Sequence, residues 1–147
     1  MNANNYKDIE ERVLEMIEKI TEGTGIMIVD VSIKGIGGKK KLEVSIDREG
    51  GITLSECEKI SNEISLLLDS ENIIPGSYIL EVGSPGLNRI LKTDRELAWA
   101  KGKRVIIYTK DKSYSGGLKA VDNEFIYIDS GEKIPRVDIK KIKLNEV

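Results

Sequence analysis

Leu80-Glu81-Val82-Gly83-Ser84-Pro85-Gly86-Leu87-Asn88-Arg89 is the stretch at which the chain changes character. Pro85 fixes its own φ and turns Ser84 away from helix, while Gly83 and Gly86 permit tight backbone geometry, so a strand running from Tyr78 must end here. Upstream, helical and alternating patterns mix. From Tyr6 to Thr21 the residues Ile9, Val13, Met16, Ile17 and Ile20 recur at helical spacing, and Gly23 and Gly25 stop the run. Met27, Val29, Val31 and Ile33 then alternate, as do Leu42, Val44 and Ile46 beyond Gly35-Ile36-Gly37-Gly38, which predicts a hairpin with one buried face. Thr53 and Glu56 form a capping-box spacing, ahead of a second helix with Cys57, Ile60, Ile64, Leu67 and Leu68 inward. Pro75-Gly76 turns the chain into the third strand, Tyr78 to Val82. The order is helix, strand, strand, helix, strand, with two helices on one face of a three-stranded sheet.

Downstream the period shortens. Thr93 and Glu96 repeat the capping-box spacing before a short helix through Leu97 and Trp99. Val105 to Tyr108, Tyr114 to Val121, Phe125 to Ile128, Glu132 to Pro135 and Ile139 to Leu144 are short runs rich in β-branched residues. Gly116-Gly117 permits a sharp bend inside the second of them. The fold class is α+β: an N-terminal α/β domain over residues 1–91, then a small five-stranded β-barrel of SH3-like or Sm-like type over residues 92–147.

Composition closes off several functions. The 147 residues include one Cys and no His, which removes the disulfide framework, the thiolate zinc site and the usual general base. Carboxylate pairs such as Glu10-Glu11 lie on exposed helix faces with no calcium-loop spacing, so neither metal nor cofactor is expected. No apolar run has the length of a membrane span and the start is polar, which predicts a soluble, cytoplasmic protein with no membrane partner. The net charge of −2 conceals a division. Residues 1–91 hold 10 Lys+Arg against 16 Asp+Glu, and residues 92–147 hold 13 against 9. The acidic part suits a basic protein and the basic part suits phosphate, unless these are simply two solvated domains of unequal charge.

Gly35 to Lys39 has the look of a phosphate loop but lacks the Walker spacing and the following helix. The same stretch and Gly83 to Gly86 match the G-x-x-G of KH domains, whose loop joins two helices; here the neighbours are strands. The hairpin tip is better described as a basic cluster of Lys39, Lys40 and Lys41. Candidate nucleic-acid contacts are Lys101, Lys103 and Arg104 before the first barrel strand, Lys110 and Lys112 at its far turn, Lys119 nearby, and Lys141 and Lys143 on the outward side of the last strand. The alternative is that these lysines keep a sheet edge soluble. Tyr108, Tyr114 and Tyr127 are the aromatics available for stacking, and Phe125 is assigned to the core.

The segment Leu80 to Leu91 resembles the hallmark of the bacterial ribosome maturation factor RimP family, a strand ending in Glu-Val-Ser-Ser-Pro-Gly-Leu-Asp-Arg-Pro-Leu. Glu81, Val82, Ser84, Pro85, Gly86, Leu87, Arg89 and Leu91 agree, while Gly83, Asn88 and Ile90 depart. Ile46-Asp47 before a glycine pair and Gly102-Lys103-Arg104-Val105 also fall at the expected places. The resemblance implies a non-enzymatic assembly factor of the small (30S) ribosomal subunit. Its partners would be the immature particle, 16S ribosomal RNA and a basic small-subunit ribosomal protein of the decoding region. A monomer off the ribosome is expected. Arg89 in the hallmark loop has two readings, a phosphate contact or a tie between the domains, and the second is preferred. Two rival functions stand beside this: a peptide-binding adaptor built on the barrel, which would need clustered aromatics, and a hydrolase using Ser84, which would need a base.

Overall fold

The computed structural model describes residues 3–146 and resolves the chain into two compact units, Met1–Pro85 and Gly86–Val147. The first unit runs α1 (Ala3–Thr21), β1 (Met27–Ile36), β2 (Lys39–Asp47), α2 (Leu54–Glu71), β3 (Tyr78–Gly83). Its sheet has the order β1-β2-β3. The first pair is antiparallel and the second parallel, so α2 is the crossover that parallel strands require. Ile9, Val13, Met16 and Ile17 of α1 and Cys57, Ile60, Ile64 and Leu68 of α2 bury against Leu42, Val44 and Ile46. Each such side chain contributes about 1.5–3 kcal/mol.

The alternation expected in β1 holds only in part. A bulge between Ile28 and Asp30 changes the pairing parity, so Ile28 lies opposite Ile46 while Val31 and Ile33 lie opposite Val44 and Leu42. Met27, expected inward, is 43% exposed, and Ile28 takes its place in the core.

Side chains close the open ends. Thr53 caps α2: its hydroxyl accepts from the Glu56 N–H at 3.1 Å, and the Glu56 carboxylate accepts from the Thr53 N–H at 3.1 Å. Arg48 pairs with the same carboxylate at 2.6 Å and donates to the Thr24 carbonyl at 2.8 Å, pinning the end of β2 to two loops. Glu10 accepts from the Ile33 N–H at 2.7 Å, so a helix side chain occupies a donor on edge strand β1. No helix among the described residues is long and apolar enough to cross a membrane.

The second unit comprises α3 (Asp94–Trp99), β4 (Arg104–Thr109), β5 (Ser113–Val121), β6 (Phe125–Ile128), β7 (Lys133–Pro135), a 3-10 turn (Arg136–Asp138) and β8 (Ile139–Leu144). Its antiparallel sheet has the order β7-β6-β5-β4-β8 around a core that includes Val105, Ile107, Leu118, Ile126, Ile128, Ile142 and Leu144. The boundary expected between residues 91 and 92 lies instead between Pro85 and Gly86. The reason is hydrogen bonding: the Leu91 N–H donates to the Ile142 carbonyl, and the N–H groups of Leu144 and Glu146 donate to the carbonyls of Arg89 and Leu87. Residues 87–91 thus cover the outer edge of β8, and Gly86, at φ +80, supplies the left-handed turn before them.

Gly116 and Gly117 leave room for a neighbouring carboxylate. A Cβ on Gly117 would lie 2.7 Å from the Asp129 carboxylate, and one on Gly116 2.9 Å from it, so both positions admit a close side-chain approach. Phe125, expected in the core, is half-buried, with the Lys133 ammonium 4.4 Å from its ring centroid.

Ile64 is fully buried between helix and sheet. Ile64→Ala is expected to destabilise the first unit by about 2–5 kcal/mol through the cavity it leaves, measured by urea unfolding followed by circular dichroism.

Candidate nucleic-acid interface

β8 decides where the charges go. Ile142 and Leu144 are buried, and side chains alternate along a strand, so Lys141 and Lys143 stand on the opposite face. The register carries that face across the sheet: Lys143 lies beside Ile106 and Lys141 beside Tyr108, while Val105 and Ile107 pair with the buried residues. Arg104 shares the parity of Ile106 and Tyr108 and is exposed. Arg104, Lys143 and Lys141 therefore run along the outer face of β4 and β8, over about 13 Å given the rise per residue. Lys141 sits 4.9 Å from the Tyr108 ring centroid.

The other expected basic residues fall at the ends. Lys110 and Lys112 occupy the β4–β5 turn, which Thr109 fastens by donating its N–H and its hydroxyl to the Lys112 carbonyl at 2.9 and 3.1 Å. Lys101 and Lys103 precede β4, and Lys103 lies 5.0 Å from the Trp99 ring centroid. Lys119 is the extra residue of a bulge between Leu118 and Ala120, exposed on β5. Among the described residues, none of Lys101, Arg104, Lys110, Lys112, Lys119, Lys141 and Lys143 forms an ion pair.

The hairpin-tip cluster of Lys39, Lys40 and Lys41 does not act as one patch, because alternation splits it. Lys40 donates to the Pro75 carbonyl at 2.7 Å. Lys41 pairs with Glu81 at 2.7 Å and Glu43 at 3.7 Å on the sheet face opposite the helices. The hydrogen bond to Glu81 holds the Lys41 ammonium above its ordinary pKa, against the opposing pull of burial. Lys39 is exposed and, among the described residues, has no such partner.

In the hallmark loop, Ser84, Gly86, Leu87 and Asn88 are exposed, whereas Gly83, Pro85 and Arg89 are partly covered. Arg89 pairs with Glu96, 2.5 Å from Nε to Oε2. Glu96 is 3% exposed and its other oxygen accepts from the N–H groups of Lys92 and Thr93 at 2.9 and 3.0 Å. Thr93 returns the cap by accepting from the Glu96 N–H. One carboxylate thus caps α3 and fixes the segment that covers β8, an arrangement inside the second unit that sequence spacing showed only as a cap.

The first unit carries the opposite sign. Asp8, Glu11, Glu15, Glu18 and Glu22 follow one another at steps of three and four residues, all exposed and, among the described residues, none in an ion pair. Among the aromatics, Tyr127 gives its hydroxyl to Asp122 at 2.7 Å and Tyr114 packs partly on the core. Tyr108 is on the basic face. Among the described residues no group of His, Cys, Asp or Glu has metal-binding geometry.

Residues 16–88 match the family model of the RimP N-terminal domain, a span from the middle of α1 to the hallmark loop.

The Glu96 contacts generate a pH dependence. Burial pushes this carboxyl up, but the Arg89 hydrogen bond, followed by the Lys92 and Thr93 N–H groups, outweighs it and holds the carboxyl below its ordinary 4.5. A depressed carboxylate stabilises the fold above 4.5, and that stabilisation drains away as pH falls through the folded value. Stability of the second unit is therefore expected to fall on acidification below about pH 4.5, read from fluorescence of Trp99, the chain's single tryptophan. Glu96→Gln should flatten that acid limb and cost about 1.5–3 kcal/mol at neutral pH. An unchanged limb would contradict the assignment.

Proposed function

As the chain belongs to the RimP family, we propose that it is a ribosome maturation factor that works by adhesion during assembly of the small (30S) subunit. Its second unit holds 16S ribosomal RNA of the immature particle, and its first unit holds a basic small-subunit ribosomal protein of the decoding region. The observation that carries the RNA contact is the outer face of β4 and β8, where Arg104, Lys141 and Lys143 share one side and, among the described residues, form no ion pair. Cations spaced along two strands can follow a phosphate backbone, releasing counterions and reading charge and shape in place of sequence. The exposed acidic residues Asp8, Glu11, Glu15, Glu18 and Glu22 support the protein contact, since they outnumber the exposed cations Lys7, Arg12 and Lys19 beside them and a net negative surface steers a partner of the other sign.

The same reading takes the five-stranded sheet, with its 3-10 turn between β7 and β8, as an SH3-like barrel. It takes the site of action as the cytoplasm, where immature subunits are built. The family's function is non-catalytic, and Ser84 is an exposed loop residue in a chain without histidine.

The experiment is sedimentation of lysate through a sucrose gradient. The protein is expected with free small subunits and absent from translating ribosomes. Arg104→Glu with Lys143→Glu, at exposed or half-exposed positions, should shift it to the top of the gradient with its melting temperature little changed. Co-sedimentation of the double variant at wild-type level would overturn the role given to this face.

A further inference from the structure

Thr109 follows Tyr108, Lys140 precedes Lys141, and both residues line a groove of about 460 Å³ between the β4–β5 turn and the 3-10 turn. Small-ligand sites span about 300–1,000 Å³. Tyr114 lies on the groove, half-buried and packed partly on the core, and Pro135 and Val137 add an apolar wall. Val137 is 92% exposed, an apolar side chain that the fold leaves in water. Lys110, Lys112 and Lys140 stand around the rim, and among the described residues none of the three is ion-paired. Asp111 and Asp138 lie on the same rim, so the groove keeps one net positive charge.

Resting on the RNA reading above, we propose that this groove receives an unpaired nucleotide of an RNA strand whose flanking phosphates meet Lys110, Lys112 and Lys140 on its rim. A flat aromatic group beside an apolar wall fits a base, since every base offers a π-face, and lysines around it fit the phosphates on either side. An acidic peptide would answer the lysines but bring no planar apolar group for Tyr114. A duplex keeps its bases stacked inside and would touch only the strip. The protein therefore binds single-stranded segments by strip and groove together, and duplex by strip alone.

The test uses fluorescence anisotropy of the full chain with two probes: an unstructured single-stranded RNA of mixed adenine and cytosine, and a blunt RNA duplex of similar length. Tyr114→Leu should weaken single-strand binding about tenfold, the effect of losing one stacked base, with duplex binding within about twofold of wild type. Val137→Ser, at a position too exposed to disturb folding, should weaken the single strand by a few-fold in the same selective way. Equal losses for both probes, no loss for either, or displacement of the RNA by a Glu-rich peptide at lower concentration than by unlabelled single strand would overturn the groove assignment. If the wild type binds both probes with strong salt dependence and the variants change nothing, only the groove assignment falls. If the wild type binds neither probe, the RNA reading falls with it.

Discussion

Strand alternation is the constraint on which the rest of the second unit depends. Ile142 and Leu144 must be buried to close the core against Val105 and Ile107, and the price is that every other residue of β8 faces water. The chain fills those outward places with Lys141 and Lys143, and the register sets Tyr108 and Ile106 beside them. The proposed binding face and the packed core are two sides of one strand. A slip of one residue would exchange them, sending lysines inward at a prohibitive desolvation cost. The segment 87–91 guards that register by pairing with the free edge of β8, and Glu96 holds the segment through Arg89.

Charges divide into two populations. Where a charge fixes structure it is paired: Arg48 with Glu56, Lys41 with Glu81, Arg89 with Glu96, Arg136 with Asp94. Among the described residues, the exposed charges outside ion pairs on α1 and in the turn after it are mostly acidic, with Lys7, Arg12 and Lys19 among them, and those on β4, β8 and their turns are mostly basic, with Asp111 and Asp138 among them. Exposed pairs contribute little to stability, about 0–1 kcal/mol, so forgoing them costs the fold almost nothing and leaves each of these surfaces with an excess of one sign. Such surfaces speed encounter with an oppositely charged partner and weaken as salt rises.

Much of this was legible in the sequence because it follows short-range rules. Both capping boxes, the buried stripes of α1 and α2, the hairpin and the outward placement of Lys141 and Lys143 come from spacings of two to four residues. What was not legible depends on pairings between distant residues. The bulge at Ile28 is visible only in the register with β2, so alternation alone places Met27 in the core. Lys39, Lys40 and Lys41 look like one cluster in sequence, yet Glu81 and Pro75, more than 30 positions away, claim two of them. The sequence offers Arg89 as a phosphate contact or a domain tie and gives no sign of its ion pair with Glu96, seven residues on. The groove at Tyr114 needs the 3-10 turn folded back beside the β4–β5 turn, which no local pattern announces.

The central claim is that phosphate neutralisation by the β4–β8 face holds the protein on RNA. The most direct measurement is the affinity of the full chain for small-subunit ribosomal RNA over a range of monovalent salt. With Arg104, Lys141 and Lys143 engaged and the turn lysines adding to them, log affinity should fall linearly against log salt with a slope of about −3 or steeper. An affinity that is indifferent to salt would contradict the account.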